Sequence, residues 1–354
     1  MPISARVICD SKNEFGNRLT TFVLTMPRMV LAEAKTHRIF SRDDGSVEHL
    51  IYPGIGFNDD TFLSRNSASS RAIPFKKMVE MVEKDPFIPL RWQLDHSGMQ
   101  GTEYYGEGDA EVLTEQWLKA RDSAVKYAKS LNNYPDGGVT KQICNRLLEP
   151  FMWHTVIVTA SEFENFFALR AHPAAEIHIA DLAEKMLQAY NESTPVQLKA
   201  GEWHIPFGDQ FDDNRLKEII YKPLQGWPEG SCFEIDLKEA INDLKLKVSV
   251  ARCARISYLN FEGKDDYEAD IALYERLKTS GHFSPFEHCA RAMTLYEYSS
   301  HVSGELEYIH TGCCTNTTIV KEGGEGWCGN FRGFIQLRKT IAGENRTDTR
   351  VIKK

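Results

Sequence analysis

The chain has 354 residues, 42% of them hydrophobic and 26% charged, the balance of a globular protein with a substantial core. Its formal charge of −8 argues against a nucleic-acid polymer as the main ligand, because polyanion binding wants a basic stripe and none is visible. No apolar run approaches membrane-spanning length and Met1 to Asp10 lacks a signal-peptide pattern, so no membrane partner and a cytoplasmic location are expected.

Leu19 to Met26 (LTTFVLTM) is rich in β-branched and apolar residues and reads as a strand. Pro27 follows, and Met29 to Lys35 reads as the start of a helix. Residues 42–64 carry Asp43-Asp44-Gly45 and Pro53-Gly54-Ile55-Gly56, which is loop chemistry. Glu111 to Leu131 places Val112, Leu113, Trp117, Val125 and Tyr127 near helical spacing. Tyr134-Pro135-Asp136-Gly137-Gly138 marks a turn, and Val139 to Leu148 reads as a second helix. Phe151 to Arg170 is largely apolar and expected inside, and Ala174 to Tyr190 reads as a helix.

Residues 191–235, broken by Pro195, Gly201, Pro206, Pro223, Gly226, Pro228 and Gly230, read as a linker. Asp236-Leu237-Lys238-Glu239 resembles a capping box that opens a helix. Asp265 to Ser280 reads as a further helix, and residues 299–330 are polar and Gly-rich. The pattern is α+β with more helix than strand. Residues 1–190 are expected to hold the first catalytic part, 191–235 the linker, and 236–354 a completing segment.

Eight cysteines include no C-x-x-C pair, and eleven histidines include no H-E-x-x-H pattern. Reduced thiols and no metal are expected.

Three segments carry the candidate chemistry. The first is Thr36-His37-Arg38-Ile39-Phe40-Ser41, continued by Arg65-Asn66-Ser67-Ala68-Ser69-Ser70-Arg71 once residues 42–64 are set aside. Guanidinium forks and hydroxyls at this density suit a phosphorylated small molecule, although most such stretches are solvated loops. The second segment holds Arg146, Asn165-Phe166-Phe167-Ala168-Leu169-Arg170 and Glu176. Its apolar context buries Arg170, which then needs an acidic partner, with Glu176 the candidate, or a bound polar ligand. The third is Ala254-Arg255-Ile256-Ser257-Tyr258, then Gly281-His282-Phe283-Ser284-Pro285-Phe286-Glu287-His288. By itself it reads equally as a capped helix end.

Together these pieces resemble the flavin-dependent thymidylate synthases, whose motifs are A-R-x-S-Y…G-H-x-[ST]-P-F-E-H, Q-x-x-R-H-R…N-E-x-S-x-R, a downstream arginine, N-F-L-x-L-R and A-Q-x-E-I. The order differs, because here the S-P-F-E-H block comes last. Circular permutation accounts for that, and so does duplication with complementary decay. Two short echoes fit duplication, Ala5-Arg6-Val7-Ile8-Cys9 of A-R-I-S-Y and Asn330 to Arg338 of the N-F-x-x-L-R piece, but echoes this short arise easily by chance, and the two accounts stand even.

The resemblance implies a rearranged fold of that family and transfer of a one-carbon unit from methylenetetrahydrofolate to C5 of dUMP, with FAD and NADPH as cofactors. It implies that Arg170 holds the pyrimidine ring, and that Ser69, Arg71 and Arg146 hold the nucleotide, chiefly its phosphate. His37, Arg38, Asn165, Ser257, Ser284 and Glu287 contact the flavin in that reading, and a homo-oligomer is expected. The departures are Thr36 for arginine, Ser67 for glutamate, Ala174 for glutamine and Glu33 for glutamine. A carboxylate at Glu33 accepts from a cytosine amino group, so dCMP stands beside dUMP. A 5-hydroxymethyl product and a non-catalytic nucleotide- or flavin-binding relative are the alternatives.

Overall fold

The computed structural model describes residues 2–30, 63–67, 73–97, 101–222, 236–256, 265–298 and 331–341. Its larger sheet has five strands: β1 (Ser4–Asn13), β2 (Arg18–Pro27), β3 (Leu63–Ser67), β4 (Trp153–Ala160) and β5 (Val196–Leu198). They lie in the order β3-β4-β2-β1-β5, antiparallel except for the β1–β5 pair. A second sheet joins β6 (Trp203–His204), β7 (Ala290–Ala292) and β8 (Phe334–Gln336).

The described helices are α1 (Phe75–Lys84), α2 (Glu107–Asn132), α3 (Lys141–Cys144) and α4 (Glu164–Arg170), then α5 (Ile177–Glu192), α6 (Asp213–Tyr221), α7 (Leu237–Arg255) and α8 (Tyr267–Ser280). The architecture is α+β with more helix than strand.

β2 and β4 are central and covered on both sides, which is why, Arg18 and His154 apart, their sequences are apolar or threonine instead of alternating. Successive side chains still point to opposite faces. Phe22, Leu24, Met26, Val156 and Val158 pack under α4 and α5, where Phe163, Phe166, Leu182 and Met186 complete a core. Val23 and Ile157, with Ile8 of β1, pack on the other face against α6, α7 and α8. A third core joins α1 and α2 through Met78, Val82, Val125 and Phe151. Each fully buried large side chain contributes about 1.5–3 kcal/mol.

Local signals set the helix ends. The Asp236 carboxylate accepts from the backbone N–H of Lys238 and Glu239, so the expected cap opens α7. Asp266 caps α8, and Gly281 ends it in the left-handed region at φ 73°. Gly333, at φ 71°, lies where any Cβ would collide with the side chains of Asn13 and Asn17. Its carbonyl accepts from Asn13 Nδ2 at 2.9 Å, which fastens residues 331–341 to the β1–β2 hairpin.

Several expectations shift. The strand over 19–26 is β2, and the helix over 111–131 is α2. The helix expected over Val139 to Leu148 is instead the single turn of α3 followed by a 3-10 stretch, Asn145–Phe151, which Pro150 keeps from continuing as an α-helix. Part of the linker expected over 191–235 is integral: it supplies β5, β6 and α6, and buries Leu198, His204, Phe207 and Leu216. Its prolines and glycines shape tight connections there, not a spacer. Leu63 and Ser64, read as the end of a loop, begin β3.

Candidate functional site

β2 ends at Pro27, which stands opposite Trp153, the first residue of β4. The chain then enters a short 3-10 turn, Arg28–Val30. Arg28 Nη1 lies 3.2 Å from His154 Nδ1, and Nη2 lies 3.7 Å from Glu149 Oε1. Burial lowers the Arg28 pKa; Glu149 opposes the shift and the nearby Arg146 guanidinium adds to it. Arg146 itself is exposed on the 145–151 stretch. Arg28 and Arg146 lie close enough for their charges to repel, and such a cationic pair suits an anionic ligand. Arg146 was expected from sequence. Arg28 was not, because nothing in its neighbourhood marked it until the turn brought it beside Arg146.

Arg170 is the last residue of α4, and its Nε is buried with no hydrogen-bond partner among the described residues. Glu176, one of the two readings for what meets Arg170, is not its partner. Its carboxylate caps α5, accepting from the N–H of His178 and Ile179 at 3.0 and 3.1 Å, and binds His178 Nδ1 as well. Burial raises the Glu176 pKa, but these bonds outweigh burial and hold it below the usual carboxylate range. A local N-cap competes better for the carboxylate than a guanidinium on the preceding helix.

On the opposite face of the sheet, Ser284–Glu287 forms a 3-10 turn that packs against β3. Ser284 is exposed, and Glu287 is ion-paired with Arg338, from the segment that echoes N-F-x-x-L-R. The two copies of that echo differ in conformation. Asn165 to Arg170 lies in α4, whereas Phe334 to Gln336 is a strand followed by a 3-10 turn. Likewise Ala5 to Cys9 lies in β1, whereas Ala254 and Arg255 end α7. Arg255 is held inside by Asp270, which it shares with Arg252.

Behind this turn lies a buried polar chain. His288 Nδ1 bonds Thr159 Oγ1 at 2.9 Å, Thr159 bonds Thr21 at 2.7 Å, and Thr21 bonds His204 Nε2 at 2.8 Å. His204 Nδ1 reaches Ser11 Oγ at 2.9 Å. Burial pushes both histidines down to about 3, so both are neutral at pH 7. Burial also pushes the Cys9 and Cys289 thiols up to about 12, which leaves them protonated and poor nucleophiles. Among the described residues no group of three or more His, Cys, Asp or Glu is placed to hold a metal, and no helix is long and apolar enough to cross a membrane.

The expected site residues therefore fall into three sets. Arg146 and Arg170 belong to elements around the β2–β4 layer, and Asn165 lies on α4 with Arg170. Ser284 and Glu287 lie on the other face, beside β3. Glu33, His37, Arg38, Ser69, Arg71 and Ser257 lie outside the described residues, as do 299–330. For a flavin, the exposed hydroxyl of Ser284 and the buried, unpartnered Nε2 of His288 are the fitting features, while Glu287 already has Arg338.

No protein-family model matches this chain, and no curated protein is significantly similar to it.

Proposed function

We propose that the protein transfers a one-carbon unit from methylenetetrahydrofolate to C5 of dUMP, in the manner of the flavin-dependent thymidylate synthases. One observation carries this reading. The Ser284–Glu287 turn packs against β3, the strand that begins the Arg65 to Arg71 segment, so two pieces of the motif set far apart in sequence are neighbours in space.

The chemistry needs C5 of the pyrimidine to become electron-rich enough to attack a methylene carbon. Arg170, with a buried donor free for a ligand, stabilises the charge that develops on a ring carbonyl. Arg28, Arg146, Ser69 and Arg71 hold the phosphate and fix the ring over the donor. Ser284 and His288 are the residues that would meet the flavin, which when bound supplies the hydride that completes a methyl group, with NADPH as its reductant. Arg170 and Ser284 lie on opposite faces of the sheet, so a complete site joins surfaces from two copies of the chain, and the active form is a homo-oligomer.

The test is the mass of the nucleotide formed from dUMP or dCMP with methylenetetrahydrofolate, FAD and NADPH. Gain of a methyl group on dUMP supports the proposal. A hydroxymethyl gain means that water, not hydride, reaches the transferred carbon. Bound flavin without turnover identifies a non-catalytic relative, and either of these last results replaces the proposal.

A further inference from the structure

The buried chain behind the Ser284–Glu287 turn crosses the larger sheet from strand to strand. Ser11 belongs to β1, Thr21 to β2 and Thr159 to β4, and Thr21 stands directly opposite Thr159 in the ladder. His204 of β6 bonds Ser11 and Thr21, and His288, which follows the turn, bonds Thr159. All five side chains are buried, and both imidazoles are neutral. Three of the four ring nitrogens are paired within the chain. The fourth, His288 Nε2, is buried with no partner among the described residues.

Proton positions along this chain are linked. A threonine hydroxyl has one proton, and a neutral imidazole has one N–H and one lone pair. Thr21 Oγ1 lies between His204 Nε2 at 2.8 Å and Thr159 Oγ1 at 2.7 Å, and Thr159 Oγ1 lies between Thr21 and His288 Nδ1 at 2.9 Å. Each hydroxyl therefore donates to one side and accepts from the other, which leaves two orders. In the first, His288 Nδ1–H donates to Thr159, Thr159 to Thr21 and Thr21 to His204 Nε2, while His204 Nδ1–H donates to Ser11. His288 Nε2 is then a bare acceptor. In the second, every bond is reversed and His288 Nε2 becomes a buried N–H without an acceptor. Orphaned N–H groups are rarer inside folded proteins than under-satisfied acceptors, so the first order prevails.

We infer that His204 is a positioning residue for His288: by taking the Thr21 proton it holds His288 in the Nδ1–H form, so that Nε2 offers a lone pair and takes an N–H of the flavin ring. This rests on the proposed flavin site and names the kind of flavin atom that His288 meets. His204 acts through the two hydroxyls alone. Neither it nor Thr21 belongs to the recognised motifs.

The test uses the full-length protein labelled with 15N-histidine, with the two imidazoles assigned through His204→Gln and His288→Gln. In the wild type both should show a protonated Nδ1 and a bare Nε2, and His288 should keep this form when FAD is added. Thr21→Val keeps a β-branched side chain of similar shape in β2 and removes the acceptor of the Thr159 proton. That hydroxyl then turns to His288 Nδ1, so His288 should become a mixture of both tautomers. FAD should then bind about twofold more weakly, as expected when the binding form is half populated. Thr21→Ser restores the hydroxyl and should restore both the single tautomer and the affinity. If the wild type holds either histidine in the other tautomer, or if Thr21→Val leaves His288 in a single form, the role of His204 is overturned and the flavin site stands. The wild-type spectrum decides the matter if Thr21→Val does not fold. If the wild type binds no FAD, the flavin site falls and this role falls with it.

Discussion

Arg255 Nη2 lies 2.6 Å from Oδ1 of Asp270, a carboxylate with no solvent exposure that is also 3.3 Å from Arg252 Nε. Arg252 reaches on to Asp265 at 2.6 Å. The arginine of the A-R-I-S-Y piece thus ties α7 to α8. Asp270→Ala strips two guanidiniums of their shared buried partner and should cost about 3–5 kcal/mol of stability. Chemical denaturation checks this. A loss below about 1 kcal/mol would show that solvent takes over the pairing.

Stability should fall on acidification below neutrality. His204 and His288 are buried and neutral with pKa values of about 3. In the unfolded chain a histidine takes up its proton near pH 6.5. Between pH 6.5 and 3 the unfolded state therefore binds more protons, and each histidine removes about 1.4 kcal/mol of stability per pH unit. Glu162 runs the other way. Burial pushes its carboxyl up to about 7 despite Arg332, so the folded state gains its proton first and is favoured as pH drops from 7 toward 4.5. Two histidines against one glutamate leave a net loss near pH 5. Denaturation midpoints from pH 7 to 5 measure it, and Glu162→Gln should steepen the slope. A midpoint that does not move would place a compensating proton elsewhere.

Arg170→Ala should abolish turnover with little change in stability. Among the described residues the side chain has no acidic partner to strand, and its buried Nε is itself an unsatisfied group. Nucleotide turnover and a thermal melt read the two effects separately. Unchanged turnover removes Arg170 from the site.

Arg338→Ala should loosen residues 331–341 without unfolding the larger sheet. The guanidinium holds Glu287 in a partly buried pair, a charge-assisted contact contributing roughly 1.5–3 kcal/mol. Hydrogen exchange should show lost protection at Phe334 to Gln336 while the amides of β2 and β4 stay protected. Uniform loss would mean that the segment is not a separate unit.

Much of the scaffold was legible because its signals are local. The run at 19–26, the helical spacing at 111–131 and the Asp236 cap each specify their element without help from distant residues. β1 was passed over as a strand. Its residues Cys9, Asp10, Ser11 and Asn13 look like a polar loop, and they become strand residues only because His204, Arg18, Thr20 and Gly333 receive their side chains. The same limit applies at the candidate site. Motif spacing singled out Arg146, Arg170 and Ser284 as candidates, whereas the Arg28–Arg146 proximity arises from where the ends of β2 and β4 meet. The pairing of Arg170 with Glu176 looked natural along the chain and lost to a helix cap two residues away.

The bond from Asn13 to Gly333 also constrains the order of assembly. β8 completes the small sheet by pairing with β7, and its segment also contacts Ser161 and Glu162 beside β4. During synthesis these surfaces emerge long before residues 331–341 do. β7 then waits with an open edge, the state in which strands mispair and aggregate. Folding with so many distant contacts is slow. Nascent chains that stop short of Phe331 are thus expected to engage chaperones, and those that extend past Ile341 to leave them.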